Sequence, residues 1–175
     1  FIYPAQLDIP LNGSGSFRFV VRPTSAINRN RVLTIETGSS NFLSVRITTT
    51  GIALSNYKDG LSILQETGSY SISNGTWYDI VLSQSNGTLN LYINGSLVYT
   101  YSSGIDTTYT AANTFYGSYP AAGDYLQGQM SFVSFHENYA LSPSDITSLY
   151  NNGNPLSYDL WDSGLKTNTK FMTNL

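Results

Sequence analysis

The sequence predicts an all-β protein, a sandwich of two antiparallel sheets with one short C-terminal helix. Nearly all of the chain consists of short apolar and polar alternations separated by turn residues, the pattern of a sandwich or barrel. Charged residues make up only 11% of the 175 residues, and the 14 tyrosines and many neutral polar residues suit sheets with uncharged outer faces. The length is that of one domain with its own core.

A three-stranded meander between Trp77 and Ser102 is the best-defined local prediction. It contains two Asn-Gly pairs, at 86–87 and 94–95, and Asn-Gly favours the two-residue type I′ turn of β-hairpins. The two turns predict four cross-strand pairs: Ile80 with Ile93, Leu82 with Leu91, Leu91 with Val98, and Tyr92 with Leu97. Both turns agree on which face is apolar, and a slip of one residue would destroy that agreement.

Alternating residues predict further strands elsewhere in the chain. These are residues 17–22, which Pro23 ends, and residues 32–36, 43–48, 70–73 and 130–135. Both faces of the last of these strands are largely apolar, as expected for a strand that is covered on both sides.

One short helix is predicted to begin after Ser142. Ser142 is a good N-cap, Pro143 suits the first helical position, and Asp145 lies where a carboxylate favours the helix dipole. The apolar stripe is formed by Ile146, Leu149 and Tyr150, and Asn152-Gly153 is a natural end. Residues 1–153 are therefore predicted as one domain, and the tail 154–175, which has apolar residues of its own, is expected to pack on that domain or on a neighbour.

Charge and composition exclude several classes of partner. The net charge is −3 and the pI about 4.8, whereas nucleic-acid binding requires clustered Lys and Arg. Five arginines do lie in the first third, and they are expected to alternate outward on solvated strands: Arg18, Arg22, Arg29, Arg31 and Arg46. No cysteine is present, and no apolar run approaches the length of a membrane span, so no membrane insertion is predicted. The chain opens at Phe1 rather than Met, which indicates a processed product or a piece of something longer.

Two segments resemble a known family. The stretch NGTWYDIVLSQSNGTLNLYINGSLVYTY is similar to the central signature of concanavalin A-like jelly rolls of the laminin G and pentraxin type. Its matching residues are Trp77, Asn86-Gly87, Leu91-Tyr92, Gly95 and Val98. Downstream, YLQGQMSFVSFHENYALSPSDITSLYNNGN resembles the closing strand and short helix of that family. Its matching residues are Gly128, Leu141-Ser142, Ile146, Leu149-Tyr150 and Gly153.

The resemblance covers residues 1–153 and implies a two-sheet antiparallel jelly-roll sandwich that serves as a recognition module. Enzymatic relatives carry a Glu-x-Asp-x-Glu strand whose carboxylates share one face. The only glutamates here are Glu36, Glu66 and Glu137, and none lies in such a run. We therefore predict that the chain is not an enzyme. His136, the only histidine, is expected to cap a loop at a strand end.

The candidate ligand-binding residues lie in a tyrosine-rich segment from 109 to 125, because binding residues concentrate on loops held by a rigid scaffold. They are Asn113, Tyr116, Tyr119, Asp124 and Tyr125. A second patch is the outer face of the meander, with Tyr92, Leu97 and Tyr99, for which burial under the other sheet or under the tail is the favoured alternative.

No cofactor is required, but calcium is an open alternative. Asp59 and Asp124 are loop carboxylates that could converge on an ion, which takes six to eight oxygen ligands. The simpler interpretation is that each forms a turn beside a glycine. The positions where many relatives carry acidic residues hold Ser131 and Phe132, which counts against an inherited calcium site.

The function that the resemblance implies is glycan recognition on a cell surface or in the extracellular matrix. The alternative is a structural or assembly domain of a virion, tail fibre or extracellular filament, which the low charge and apolar tail suit. The predicted partner is thus a glycan or another protein subunit, in an oligomer or larger assembly, and the predicted location is extracellular, on a cell surface or in a virion.

Overall fold

A computed structural model describes residues 9–10, 14–25, 30–38, 41–48, 51–59, 61–68, 70–102, 108–109, 113–119, 123–154 and 169–174. The strands are β1 (Ile9–Pro10), β2 (Ser14–Pro23), β3 (Asn30–Gly38), β4 (Asn41–Thr48), β5 (Gly51–Lys58), β6 (Leu61–Gly68), β7 (Tyr78–Ser85), β8 (Thr88–Ile93), β9 (Ser96–Tyr101), β10 (Thr108–Tyr109), β11 (Asn113–Tyr116), β12 (Ser118–Tyr119), β13 (Asp124–Tyr125), β14 (Gly128–Glu137) and β15 (Thr169–Asn174). Helix α1 (Pro143–Tyr150) is followed by a 3₁₀ turn, Asn151–Gly153.

The strands form two main antiparallel sheets, one in each of two compact units. The first is five-stranded, with the order β11-β3-β4-β5-β6, and the short pair β12-β13 accompanies it. The second is six-stranded, with the order β15-β14-β2-β7-β8-β9. The predicted class, all-β with two antiparallel sheets and a short helix, is confirmed.

The five-stranded sheet buries one apolar face. Its buried apolar residues are Leu33, Ile35, Leu43, Val45, Ile47, Ile52 and Leu54. They alternate along each strand with residues of the opposite face, as the period of two requires. Strands β3 and β4 were predicted, but β5 and β6 were not, and the strand expected at 70–73 is wrong because these residues form no strand.

In the six-stranded sheet the meander is confirmed. Both Asn-Gly turns are present, with Asn86 and Asn94 at positive φ, and three of the four predicted pairs form. The fourth is wrong by one residue, because a β-bulge at Leu91/Tyr92 pairs Leu91 with Tyr99 instead of Val98.

Helix α1 begins with the predicted cap. The Ser142 hydroxyl accepts a hydrogen bond from the Asp145 N–H, and the Asp145 carboxylate accepts one from the Ser142 N–H, which completes a capping box. Two buried side chains of the helix, Ile146 and Leu149, pack in one cluster with Val81 and other apolar residues of the six-stranded sheet. This sheet is therefore apolar on both faces.

Strand β14 lies between β2 and β15 in the six-stranded sheet. Phe135 of β14 stacks on Phe17 of β2, with ring centroids 4.7 Å apart. In the register of β14 with β15, Phe135 lies opposite Phe171. His136 lies at the end of this strand, as expected, but it is fully buried, and its capping of a loop stays a prediction. The domain boundary at 153 stays a prediction.

Gly128, the first residue of β14, lies where the chain passes very close to another backbone segment. A Cβ at this position would lie 2.3 Å from the carbonyl oxygen of Arg22 and 2.9 Å from the Cα of Pro23. Gly128→Ala is expected to lower the free energy of unfolding by about 1–3 kcal/mol, since neither backbone atom can rotate away. Urea unfolding would measure this, with Gln127→Ala as the control; equal stability of the two variants would contradict the explanation.

Candidate functional site

One face of the five-stranded sheet is polar across β3, β4 and β5. Residues that pair across antiparallel strands lie on the same face, and the register here gives three rows. They are Glu36, Phe42 and Tyr57; then Thr34, Ser44 and Ser55; then Arg31, Arg46 and Ala53. These residues, together with Asp124 of β13, are called the polar face.

A β-bulge in β3 brings Arg31 onto this face. In a regular strand Arg31 would share a face with Leu33 and Ile35, because residues two apart point the same way. The register shifts between Arg31 and Leu33, so that Leu33 pairs with Val45 while Arg31 pairs with Arg46. The additional residue of a bulge reverses the side on which the following side chains lie. The bulge thus places two arginines side by side.

Arg31 is held in a buried polar network. Its Nε donates to Asp124 Oδ2 at 3.1 Å, and both side chains are only 8% exposed. Its Nη1 also donates to the Ser44 hydroxyl. A buried ion pair of this kind requires additional hydrogen bonds to offset the loss of hydration. Arg31, Asp124 and Ser44 therefore form a fixed, mutually satisfied group at one end of the polar face.

Arg46 is in a different situation. It is partly buried, and its buried Nε has no hydrogen-bond partner among the described residues. Burial lowers the pKa of the Arg46 guanidinium from its ordinary value, and the positive charge of Arg31 lowers it further, while Tyr57 and Asp124 oppose the change. An arginine still keeps its proton at neutral pH. Arg46 is thus a partly desolvated cation.

The middle row of the polar face consists of small hydroxyl side chains. Thr34 is 0% and Ser55 2% exposed, and within the described ranges neither hydroxyl oxygen has a hydrogen-bond partner. Leaving a buried polar group without a partner costs roughly 1–3 kcal/mol.

An aromatic pair lies at the other end of the polar face. The rings of Phe42 and Tyr57 are stacked, with centroids 4.6 Å apart and planes inclined by 17°. Both side chains are partly buried, as is Glu36 in the same row. The pair offers an apolar, π-rich surface next to hydrogen-bonding groups, which is the usual composition of a small-molecule site.

Residues 113–116, 118–119 and 124–125 of the predicted tyrosine-rich loop form short strands. Residues 113–116 form edge strand β11, in which Asn113 pairs with Glu36 and Tyr116 with Leu33. Tyr119 pairs with Asp124 across β12 and β13. The side chains of Asn113 and Tyr119 lie outside the described residues, as does that of Tyr116, so their binding role stays a prediction.

Two residues of the predicted site have described side chains. Asp124 is buried and paired with Arg31, and Tyr125 is 45% exposed. Asp59 is exposed, has φ +52, and its N–H donates to Asn41 Oδ1 in a turn. Within the described ranges no three His, Cys, Asp or Glu side chains come together as a metal site would require. A calcium ion at Asp124 would have to displace the Arg31 guanidinium, which disfavours the calcium alternative.

The expectation that the early arginines are solvated is wrong for two of them. Arg18 is 0% and Arg31 6% exposed, because each has a carboxylate partner from a distant part of the chain. Arg29 lies outside the described residues. Sequence reasoning therefore missed Arg31 and Arg46 as site residues, and also Phe42 and Tyr57. The alternation of Phe42, Ser44 and Arg46 with apolar residues along β4 was the available signal.

The outer face of the meander is covered at Tyr92 but exposed at Leu97. Tyr92 is 5% exposed and belongs to the cluster beneath helix α1, so it is covered by the helix, which is neither the other sheet nor the tail that was expected to cover it. Because of the bulge, Tyr99 pairs with Leu91 and therefore lies on the other face of the meander, not on the outer face where it was expected. Leu97 alone of the three predicted residues is strongly exposed, at 53%.

Comparison with protein families matches this chain to one superfamily. The family model described as the concanavalin A-like lectin/glucanases superfamily, of the laminin G type, matches residues 3–147. The chain belongs to this superfamily, and its fold is the predicted antiparallel jelly-roll sandwich. No curated protein matches the sequence.

Several solved structures share the fold at low identity. Domain 4 of AbnA, a GH43 extracellular arabinanase from Geobacillus stearothermophilus, in complex with arabinotriose, is 19% identical with a TM-score of 0.70; the match covers 83% of this chain and 69% of that one. A heptameric SAP-like pentraxin from Limulus polyphemus is 15% identical with a TM-score of 0.58, over 86% and 79%. The Ruminococcus gnavus IT-sialidase CBM40, bound to alpha2,3 sialyllactose, is 16% identical with a TM-score of 0.59, over 79% and 83%.

Among the helices of the described residues, none is long and apolar enough to cross a membrane.

Proposed function

We propose that this chain is a non-catalytic glycan-binding module that acts outside the cell, on a cell surface or in the extracellular matrix, and that the polar face is its binding surface. The observation that carries the proposal is the stacked pair of Phe42 and Tyr57, which is partly exposed and lies in one row with the partly exposed Glu36. Two similar structures have arabinotriose and sialyllactose bound, which supports the ligand class.

The chemistry of the polar face fits a sugar. Aromatic rings carry negative charge on their faces, and the weakly positive C–H groups of a sugar ring pack against them. Sugar hydroxyls donate hydrogen bonds to carboxylate oxygens and accept them from guanidinium N–H groups. The partly buried rings of Phe42 and Tyr57 supply the packing surface, and Glu36 in the same row supplies acceptor oxygens.

The module is proposed to be non-catalytic because the paired carboxylates of the glucanases are missing from the sequence. Retaining and inverting hydrolysis both require two carboxyl groups that flank the scissile bond. Asp124 is engaged by Arg31 at 3.1 Å, so its carboxylate serves to position an arginine.

Phe42→Ala is expected to weaken glycan binding at least about tenfold, because it removes one ring of the packing surface and exposes the other. Tyr57→Ala should act in the same direction. A glycan array would identify ligands of the wild-type domain, and calorimetric titration of one such ligand would then measure the loss.

The matched control is Trp77→Ala, which removes an exposed aromatic residue of the other unit (42% exposed). It should bind as the wild type does, and all three variants should still show cooperative thermal unfolding. Absence of any glycan ligand for the wild-type domain at high concentration would overturn the proposal.

The assembly alternative stays a prediction. The feature that favours it is β9, the edge strand of the six-stranded sheet, which carries the exposed Leu97. An open strand edge with an exposed leucine is suited to pairing with another chain.

A further inference from the structure

We propose that the glycan bound by the polar face is acidic, and that Arg46 binds its carboxylate. This inference rests on the proposed function and adds the chemical class of the ligand. It assigns a role to a guanidinium whose charge the described part of the fold does not pair.

The charges around Arg46 leave it without a carboxylate of its own among the described residues. Arg31 lies directly opposite on β3, and the carboxylate that acts on Arg46, Asp124, is bound to Arg31 at 3.1 Å. Glu36 lies two rows away along the polar face. Counted over the described residues, this end of the face therefore holds two guanidinium groups for one carboxylate, and a ligand carboxylate would restore the balance.

The shape of the guanidinium group favours a carboxylate over other acceptors. Its planar fork presents parallel N–H groups that match the two oxygens of a carboxylate, and such charge-assisted pairs are stronger than neutral hydrogen bonds. The Arg46 Nε is buried, so we assign the contact with the ligand to the terminal Nη groups of this partly exposed side chain. The partial burial of the side chain reduces screening by water, so that a ligand charge interacts more strongly there than on an open surface.

The distance between the two ends of the polar face favours an oligosaccharide over a small free acid. Arg46 and Phe42 lie four residues apart on β4, which at the rise of a strand corresponds to about 13 Å. This span exceeds one sugar ring, and Ser44 between the two ends is fully buried, so the ligand is expected to contact the two ends. An oligosaccharide can place a neutral sugar on Phe42 and Tyr57 and an acidic sugar at Arg46.

A purely structural role for Arg46 predicts a different outcome. If the residue stabilised the fold, its removal would lower the free energy of unfolding. If it is held as a binding group next to a like charge, Arg46→Gln should leave thermal stability unchanged or raise it, because repulsion with Arg31 is relieved. Stability and binding therefore move in separate directions only under the proposal.

The test uses an array of uronate- and sialate-terminated oligosaccharides, each printed as the free acid and as its methyl ester, together with neutral oligosaccharides. The wild-type domain is expected to prefer at least one free acid over its own ester by about tenfold or more. Arg46→Gln should abolish that preference while it retains the weaker binding of the ester. Arg46→Lys, which keeps the charge without the fork, should lose most of the preference.

Arg22→Gln is the matched control, because Arg22 is a partly exposed arginine of the same unit that donates to the Gly75 carbonyl at 2.8 Å. It should keep the preference for the free acid. Two results would overturn the inference and leave the glycan-binding function intact: binding of neutral glycans only, or equal binding of acid and ester. In either case Arg46→Gln would have no effect on binding. Absence of binding to every printed glycan would overturn both.

Discussion

Replacement of Arg18 by methionine is expected to lower the free energy of unfolding by roughly 3–5 kcal/mol, the usual cost of removing one partner of a buried ion pair. Arg18 is fully buried, and its Nε and Nη2 both donate to the Asp79 carboxylate, the shorter bond at 2.8 Å. Methionine fills a similar volume, so the loss reflects the uncompensated carboxylate rather than a cavity. Urea unfolding monitored by tryptophan fluorescence would measure it.

Arg18 also fixes helix α1 on the six-stranded sheet. Its Nη2 donates to the carbonyl of Leu149 at 3.0 Å, near the C-terminal end of the helix, where a cation is favoured by the helix dipole. Its guanidinium carbon lies 5.1 Å from the centroid of the Phe132 ring, within the range of a cation–π contact. The substitution should therefore also loosen the helix, which hydrogen exchange at Leu149 and its neighbours would detect.

Two variants separate the ion pair from general effects of substitution. Arg22→Met changes an arginine of the same strand that is only partly buried, and it should cost less than about 1 kcal/mol. The double variant Arg18→Met/Asp79→Leu removes both charges and should recover much of the lost stability, since a well-packed apolar pair can replace a buried ion pair. If the single variant Arg18→Met and the double variant both lower the free energy of unfolding by the same small amount, the ion pair of Arg18 with Asp79 contributes little to stability.

The parts of the fold that the sequence predicted are those set by local rules. The Asn-Gly pairs specify turns from two residues, and the cap at Ser142 depends on contacts no more than three residues away. Strands β5 and β6 escaped prediction because small residues such as Ala53 and Ser55 blur the alternation on which strand prediction depends.

The burial of charge could not be predicted because it depends on distant partners. Arg18 pairs with Asp79, 61 residues away, and Arg31 with Asp124, 93 residues away. In addition, a single bulge decides whether Arg31 lies on the polar or the apolar face. Asp124 was recognised as a candidate from its loop-like context, but its role as the partner of an arginine required the three-dimensional arrangement.

The stability of this protein is expected to fall by about 2 kcal/mol between pH 7 and pH 5 because of one residue, His136. The side chain is 0% exposed, with Nε2 3.3 Å from the Ser134 hydroxyl. Burial lowers the pKa of His136 from 6.5 to about 4, with a further contribution from the positive charge of Arg18, while Asp145 opposes the change. The unfolded chain thus takes up a proton below pH 6.5, whereas the native state remains neutral until about pH 4. The contribution of neutral His136 to the free energy of unfolding is therefore complete above pH 6.5 and is lost as the pH falls toward 4.

The chain has one histidine, so its imidazole C–H signal in an NMR titration belongs to His136 without further assignment. The expected midpoint in the folded protein is near pH 4, and a midpoint near 6.5 would contradict the prediction. His136→Gln should abolish the dependence of the free energy of unfolding on pH between 7 and 5. Burial raises the pKa of Asp145, but the Ser142 and Tyr139 hydrogen bonds lower it overall, so its contribution is lost only as the pH falls through the ordinary range of aspartate and below it. The two groups therefore titrate in separate windows, and the slope between pH 7 and 5 reports on His136 rather than on the helix cap.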